Sequence, residues 1–418
     1  MKTNLKFPKF NLLEELRKID LRLMICYLLL IVWGLFIQLD ITSISGILPY
    51  FLKQFLISMA AIFVCIMIYL FWKIKWFKWS FWIFYLLTFA MLIYVLKFGD
   101  SALGAIRSFS IPFMGKSISV QPSLLARLVL VVLFARVLSL REDKIQNSSF
   151  LPFISNFFPL LLYSGVYYYL ILKENHLSAV LTSGFTLITL LFLANIRKAT
   201  IFILIICVLF LGLVVVFFQK DGKFKFPKKH ADNELEISNE QETVATQSFR
   251  EKRIESCKES SLIIRWLTGN KSTKNISMNN MESIFCLSTG KLLGTGPDGG
   301  MGKLKYLHEA RTDFVFAIIA EEFGLIGALF VILLYMGLVI RGISISSRQK
   351  EMFPRILGYG FSLNIFFNIV IHIGTVGGCL PTTGVTLPFI SAGGSSIVVN
   401  SMAIGILLIL GKPVEEIK

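Results

Sequence analysis

The sequence has 418 residues, of which 55% are hydrophobic and only 16% charged, with a formal net charge of +16 and a mean hydropathy of +0.70. A soluble globular domain typically carries about 25% charged residues, so that class is excluded, and so apolar a chain cannot stay solvated as a disordered one. The cations flank apolar runs instead of clustering on one face, which argues against nucleic-acid binding and leaves a membrane protein of several spans.

A spanning helix needs about 20 predominantly apolar residues. Ten segments qualify in chain order: Leu23–Leu39, Phe51–Phe71, Trp79–Leu96, Ser123–Leu140, Phe153–Leu172, Leu177–Ala194, Ala199–Phe218, Asp313–Ile340, Ile356–Ile373 and Ser395–Leu410. The first is not a cleaved signal, since it is long, lacks a small-residue cleavage site and is followed by further spans. With the N-terminus inside, the inner segments collect twenty Lys and Arg and the short outer loops five. Basic residues favour the cytoplasmic side, so both termini are expected inside. The expected fold is an all-α integral membrane protein of ten transmembrane helices, a single membrane domain over 1–418. One large extracytoplasmic loop, 219–312, precedes the eighth helix. Its first part, 220–261, is mixed in charge and poor in aromatics, which reads as a flexible insertion.

Six cysteines are scattered along the chain. Cys257 and Cys286 share the large loop, so a disulfide between them is open. The four histidines, His176, His230, His308 and His372, lie far apart without metal-ligand spacing, and no metal site is expected.

Within the large loop, Gly294-Thr-Gly-Pro-Asp-Gly299 matches G-x-G-x-x-G. The strand and helix that a dinucleotide site requires are missing, so this is a turn-rich loop near the membrane. The stretch that follows gathers Lys303, Lys305 and Arg311 beside Glu309 and Asp313. Asp313 falls where loop enters helix. It is either a cap of free amide groups or a base beside cations suited to phosphate.

Farther along, Glu321 lies about 80° around the helix from Asp313 and Glu322 about 180°, with Glu321 roughly 12 Å deeper. A charge at that depth costs on the order of 2.5–3.5 kcal/mol. Glu321 therefore faces a polar cavity or a partner, for which Arg127 of the fourth span is a candidate. The last outer segment, Gly374 to Ser396, has seven glycines and prolines between Gly377 and Gly394 and cannot form a regular helix. Irregular backbone at membrane depth must be buried in protein or line a cavity. Its amides, including those of Gly393 and Gly394, and the hydroxyls of Ser391, Ser395 and Ser396 could hold phosphate or sugar, or the segment could be the broken helix of a transporter.

Two stretches, Thr312-Asp-Phe-Val-Phe-Ala-Ile-Ile-Ala-Glu-Glu-Phe-Gly-Leu-Ile-Gly327 and Leu380-Pro-Thr-Thr-Gly-Val-Thr-Leu-Pro-Phe-Ile-Ser-Ala-Gly-Gly-Ser-Ser396, closely resemble the SEDS family (shape, elongation, division and sporulation). Weaker matches are Gly104-Ala-Ile-Arg107 and Gln121-Pro-Ser-Leu-Leu-Ala-Arg127. The resemblance implies a multi-pass protein of the bacterial cytoplasmic membrane that polymerises lipid II. Its implied partners are a class B penicillin-binding transpeptidase and other division proteins, with no nucleic acid. The family's catalytic aspartate falls on Asp313, and Thr386-Leu387 fits the division branch better than the elongation branch. Departures are Ser108 for the family's Trp, Leu124 for its Glu, Lys173–Ser178 for its Gln-Pro-Asp-x-Gly, His308 for its Pro and Ala392 for its Tyr.

Transfer from a lipid-pyrophosphate donor needs no acid on the leaving group, so one carboxylate suffices where a glycosidase typically needs two. Asp313 is the expected base for the acceptor sugar's 4-hydroxyl, with inversion to a β-1,4 product. Arg107, Arg127, Lys303, Lys305 and Arg311 are candidates to stabilise pyrophosphate. No cofactor is required by this chemistry, though a divalent cation such as magnesium could assist. A lipid flippase and a non-catalytic division scaffold are the alternative readings.

Overall fold

The computed structural model of the chain describes residues 12–44, 48–102, 105–113, 116–141, 150–174, 176–194, 278–300, 302–303, 310–380 and 384–413. The seventh expected span (Ala199–Phe218), the 220–261 insertion, Cys257, Lys305 and Glu309 lie outside the described residues.

A short helix α1 (Leu12–Arg17) precedes four longer ones: α2 (Leu21–Ile44), α3 (Leu48–Phe71), α4 (Ile74–Phe98) and, after an intervening loop, α5 (Pro122–Leu140). There follow α6 (Phe150–Lys173), α7 (Leu177–Leu193), α8 (Met278–Thr289), α9 (Val315–Ser347), α10 (Met352–Val376) and α11 (Gly394–Leu410). Nine of the ten expected spans thus coincide with helices. Six described helices, α2, α3, α4, α5, α9 and α10, are long and apolar enough to cross a membrane. In hydrocarbon every backbone group must be satisfied inside the segment, and runs that are apolar on all sides can do so only as helix. Pro122 sits in the first turn of α5, where its missing N–H removes no helical bond.

The all-α expectation needs one amendment. The loop between α4 and α5 folds into an antiparallel three-stranded sheet in the order β1 (Asp100–Ala102), β2 (Ala105–Phe113), β3 (Lys116–Val120). Ser110 and Ile111 pair with Ser119 and Ile118 across β2 and β3.

The enclosed helix is α10, which packs on α5, α7, α9 and α11, while α11 lies along α3 and α2 along α9. One end of the bundle is fastened by ions. Arg341 of α9 grips Asp20 with Nε at 2.9 and 3.1 Å and Nη2 at 2.5 Å, and Lys412 meets Glu15 at 2.7 Å. The opposite end carries nearly all the residues that the sequence singled out.

At that end α9 is broken. Gly324 has φ 63° and ψ −163°, a region that essentially only glycine adopts. The break frees carbonyls and amides of one turn, and the loop after α8 satisfies them. Thr295 N donates to Glu321 O (2.9 Å) and Gly296 N to Glu322 O (3.0 Å), while Leu325 N donates to Lys291 O (3.0 Å) and Ile326 N to Leu292 O (3.3 Å). The G-x-G-x-x-G segment supplies the two donors, and the residues just before it the two acceptors. The approach of its backbone to α9 is so close that any Cβ on Gly294 would overlap the Glu322 carbonyl.

Cys257, the other half of the disulfide left open, lies outside the described residues, while Cys286 on α8 is a free, buried thiol. Burial pushes this thiol up to about 12, which keeps it protonated and unreactive.

Candidate active site

Phe314 occupies the N-cap position of α9, which begins at Val315. Asp313 therefore sits one residue before the N-cap position, half-buried, and Phe314 makes no side-chain cap hydrogen bond. The segment leading into it is held by its backbone. Arg311 O accepts from Gln38 Nε2 (3.2 Å) and from Ala392 N (2.9 Å), and Thr312 O accepts from Ser391 Oγ (2.6 Å). With its carbonyl so fixed, the Arg311 guanidinium lies over the Tyr50 ring at 5.7 Å.

The partner of this segment is the irregular stretch before α11. Its carbonyls find donors from four helices: His372 Nδ1 at Val385 O (2.6 Å), Tyr335 at Pro388 O, Gln38 Nε2 at Ile390 O (3.2 Å) and Gln54 Nε2 at Ser391 O (3.4 Å). Phe389 adopts φ 69°, which costs about 1–3 kcal/mol for a residue with a side chain. Its ring is held edge-on to Tyr27 at 5.2 Å. Non-helical backbone thus survives at membrane depth because protein groups replace the missing water.

Several hydroxyls and charges expected to face substrate are bonded within the protein. Ser391 Oγ also accepts from Leu387 N (2.8 Å), and Ser396 Oγ accepts from Thr386 Oγ1 (2.8 Å) and Asn400 Nδ2 (3.2 Å). Gly393 caps α11, and Gly394 and Ser395 open it, all three half-buried. Lys303 has no side-chain exposure and lies 2.6 Å from Asp40, 3.1 Å from Asp298 and 2.5 Å from Glu322. Burial alone would lower its ammonium pKa, but the hydrogen bond it donates to Asp40 and its pairing with Glu322 outweigh this and raise it.

Glu321 accepts from Gly302 N at 3.1 and 3.3 Å. It does not meet Arg127, whose Nη1 donates to Asn368 Oδ1 (2.6 Å) and Thr182 Oγ1 (3.2 Å). Arg127 is buried, and its Nε has no partner among the described residues. Arg107 falls on β2.

The chain matches the FtsW/RodA/SpoVE family model, described as cell cycle protein, over residues 16–415. It belongs to that family. A probable peptidoglycan glycosyltransferase FtsW of Geobacter metallireducens is 28% identical over 414 residues, 97% of each chain. A protein of the same description from Geobacter sulfurreducens is 29% identical over 76% of this chain and 73% of its own. Among solved structures, one described as a peptidoglycan synthase complex coordinating polymerization and crosslinking matches with TM-score 0.68 at 18% identity, covering 94% of this chain and 97% of that one. The rod shape determining protein RodA of Thermus thermophilus matches with TM-score 0.60 at 18% identity, covering 94% and 96%. The family's fold therefore extends over the chain, membrane helices included.

The structure brings the Arg311–Asp313 segment against the 387–396 stretch. It puts Lys303 and Glu321 behind them, in contacts with α2, α9 and the loop before Lys303, and Arg127 apart, between α5, α7 and α10. Gln38, Gln54, Asp40 and Tyr335 were not anticipated. Gln38 and Asp40 had a signal, since polar residues inside an apolar span mark function by default.

Proposed function

We propose that this chain is a peptidoglycan glycosyltransferase of the division type, polymerising lipid II with Asp313 as the general base. The observation that carries the proposal is the pinning of Arg311–Thr312 to residues 390–392, which presents the half-buried Asp313 at the mouth of a membrane helix. A lipid-linked substrate reaches that level with its pyrophosphate still in the interface. Asp313 takes the proton of the acceptor 4-hydroxyl as the oxygen attacks the donor's anomeric carbon. The carbon–oxygen bond to pyrophosphate breaks, and the leaving group departs as a stable anion. Arg311 is the cation nearest the base in sequence and suits the developing pyrophosphate charge. Arg127, Arg107 and Lys305 remain candidates for the rest of the headgroup.

The family membership and the relatives described as probable peptidoglycan glycosyltransferases support this reading. The proposal includes a ten-span topology with both termini in the cytoplasm, in which Asp313 lies on the outer face of the inner membrane. A class B penicillin-binding transpeptidase is the proposed partner, in keeping with the solved synthase complex of similar fold. Incubating the purified chain and that partner with lipid II should yield glycan polymer. Lipid translocation without polymer would instead identify a flippase. Deleting residues 223–256 should leave the polymer yield largely intact, as the flexible-insertion reading requires. Loss of polymer from a correctly folded deletion would assign the insertion a role in catalysis.

A further inference from the structure

We infer that Gln38 and Asp40, near the end of α2, are positioning residues that hold the chain around Asp313 from two sides; the inference rests on Asp313 being the catalytic base. Both are buried in an otherwise apolar helix. Two residues apart, they project about 200° from each other, so they address different neighbours. Gln38 Nε2 bridges Arg311 O and Ile390 O, each at 3.2 Å, tying together the two segments that frame Asp313. Asp40 Oδ2 receives Lys303 Nζ at 2.6 Å, ten residues before Asp313 in the chain. The same ammonium reaches Glu322 on α9, at 2.5 Å. The chain is therefore fastened before Asp313 by Asp40, beside it by Gln38 and after it by Glu322.

A third contact keeps α2 against its load. One turn before Gln38, a Cβ on Gly34 would stand 2.6 Å from Phe389 O and 2.8 Å from Ile390 Cα, so backbone packs directly on backbone. The competing role for this cluster is direct binding of pyrophosphate by Lys303. An ammonium with no exposure and three carboxylates around it would have to abandon all three to do so. Lys303 acts instead by placing the base.

The test uses the full chain with its transpeptidase in lipid nanodiscs, and two readouts. Asp40→Leu leaves Lys303 paired with Glu322 and Asp298, so the buried ammonium is not stranded; Gln38→Leu removes only a neutral amide. Each should speed hydrogen exchange of the amides in 310–316 and lower kcat for lipid II about 100-fold, the loss typical of a misplaced catalytic group, with KM unchanged. Asp40→Asn, whose amide oxygen still accepts from Lys303, should keep most of the wild-type rate. Wild-type exchange over 310–316 in both leucine variants would overturn the inference. So would a raised KM with unchanged kcat, which would make this end of α2 a lipid-binding surface. If the wild type made no polymer, the polymerase reading would fail, and the exchange comparison would still decide whether α2 is the clamp.

Discussion

Asp313→Asn is expected to abolish lipid II polymerisation while leaving the protein folded and its affinity for lipid II unchanged. The substitution keeps the shape of the side chain and removes its ability to take a proton. A positioned base typically contributes about 10²–10⁴-fold, equivalent to about 3–5 kcal/mol of barrier at about 1.4 kcal/mol per tenfold. Because the contribution is made only in the transition state, kcat and kcat/KM should fall together. Gel separation of labelled glycan products measures this directly. Asp313 lies one residue before the N-cap position of α9, which Phe314 occupies without a side-chain cap hydrogen bond. An N-cap replacement would cost stability, typically about 1 kcal/mol, so a large loss of activity without a loss of thermal stability separates catalysis from capping. An Asp313→Asn protein that polymerises at the wild-type rate would remove the residue from the mechanism.

Most of the helical architecture was legible because membrane spans announce themselves by apolarity over a fixed length. Helix ends were less legible. α9 runs to Ser347, past the apolar stretch ending near Ile340, because Arg341 finds Asp20 more than three hundred positions away. Distant pairing also explains the misreading of Lys303. Its neighbours in sequence, Lys305 and Arg311, suggested a shared basic patch, whereas its first partner, Asp40, lies 263 positions off. The small sheet between α4 and α5 went unseen because that loop was read for its charges, although Phe109, Ile111 and Phe113 in β2 and Ile118 and Val120 in β3 alternate with small or polar residues. Ser391 illustrates the same gap at the site. A hydroxyl beside two glycines looks like a ligand-binding group, and only the fold shows it bonded to Thr312 O and Leu387 N. By contrast, the motif containing Asp313 was legible in the sequence, since a carboxylate at a loop-to-span junction is unusual in a chain with so few charges.

The break in α9 sets the second large effect, because it was the feature least visible in the sequence. A glycine within a helical run ordinarily costs about 1 kcal/mol relative to alanine, so by propensity alone Gly324→Val would pass for stabilising. Three terms oppose it. The conformation at φ 63° and ψ −163° costs a residue with a side chain about 1–3 kcal/mol. Any Cβ there would collide with Gly294 N and Leu292 O, and such overpacking typically costs about 1–3 kcal/mol more. Relief of that collision requires the 291–296 loop to retreat, which strands the Glu321 and Glu322 carbonyls and the Leu325 and Ile326 amides. In a membrane setting each unsatisfied backbone group costs several kcal/mol. These terms exceed the roughly 5–15 kcal/mol that separates a folded domain from its unfolded chain once two or three groups are stranded. Gly324→Val should therefore fail to accumulate in the membrane, or melt far below wild type in detergent, with early proteolysis within 290–303. Gly165→Ala is the matched comparison, since nothing lies within 4 Å of its would-be Cβ, and it should behave as wild type. If Gly324→Val melts with the wild type, α9 can close into a continuous helix, and the loop's backbone bonds contribute nothing to holding Asp313 and its neighbours in place.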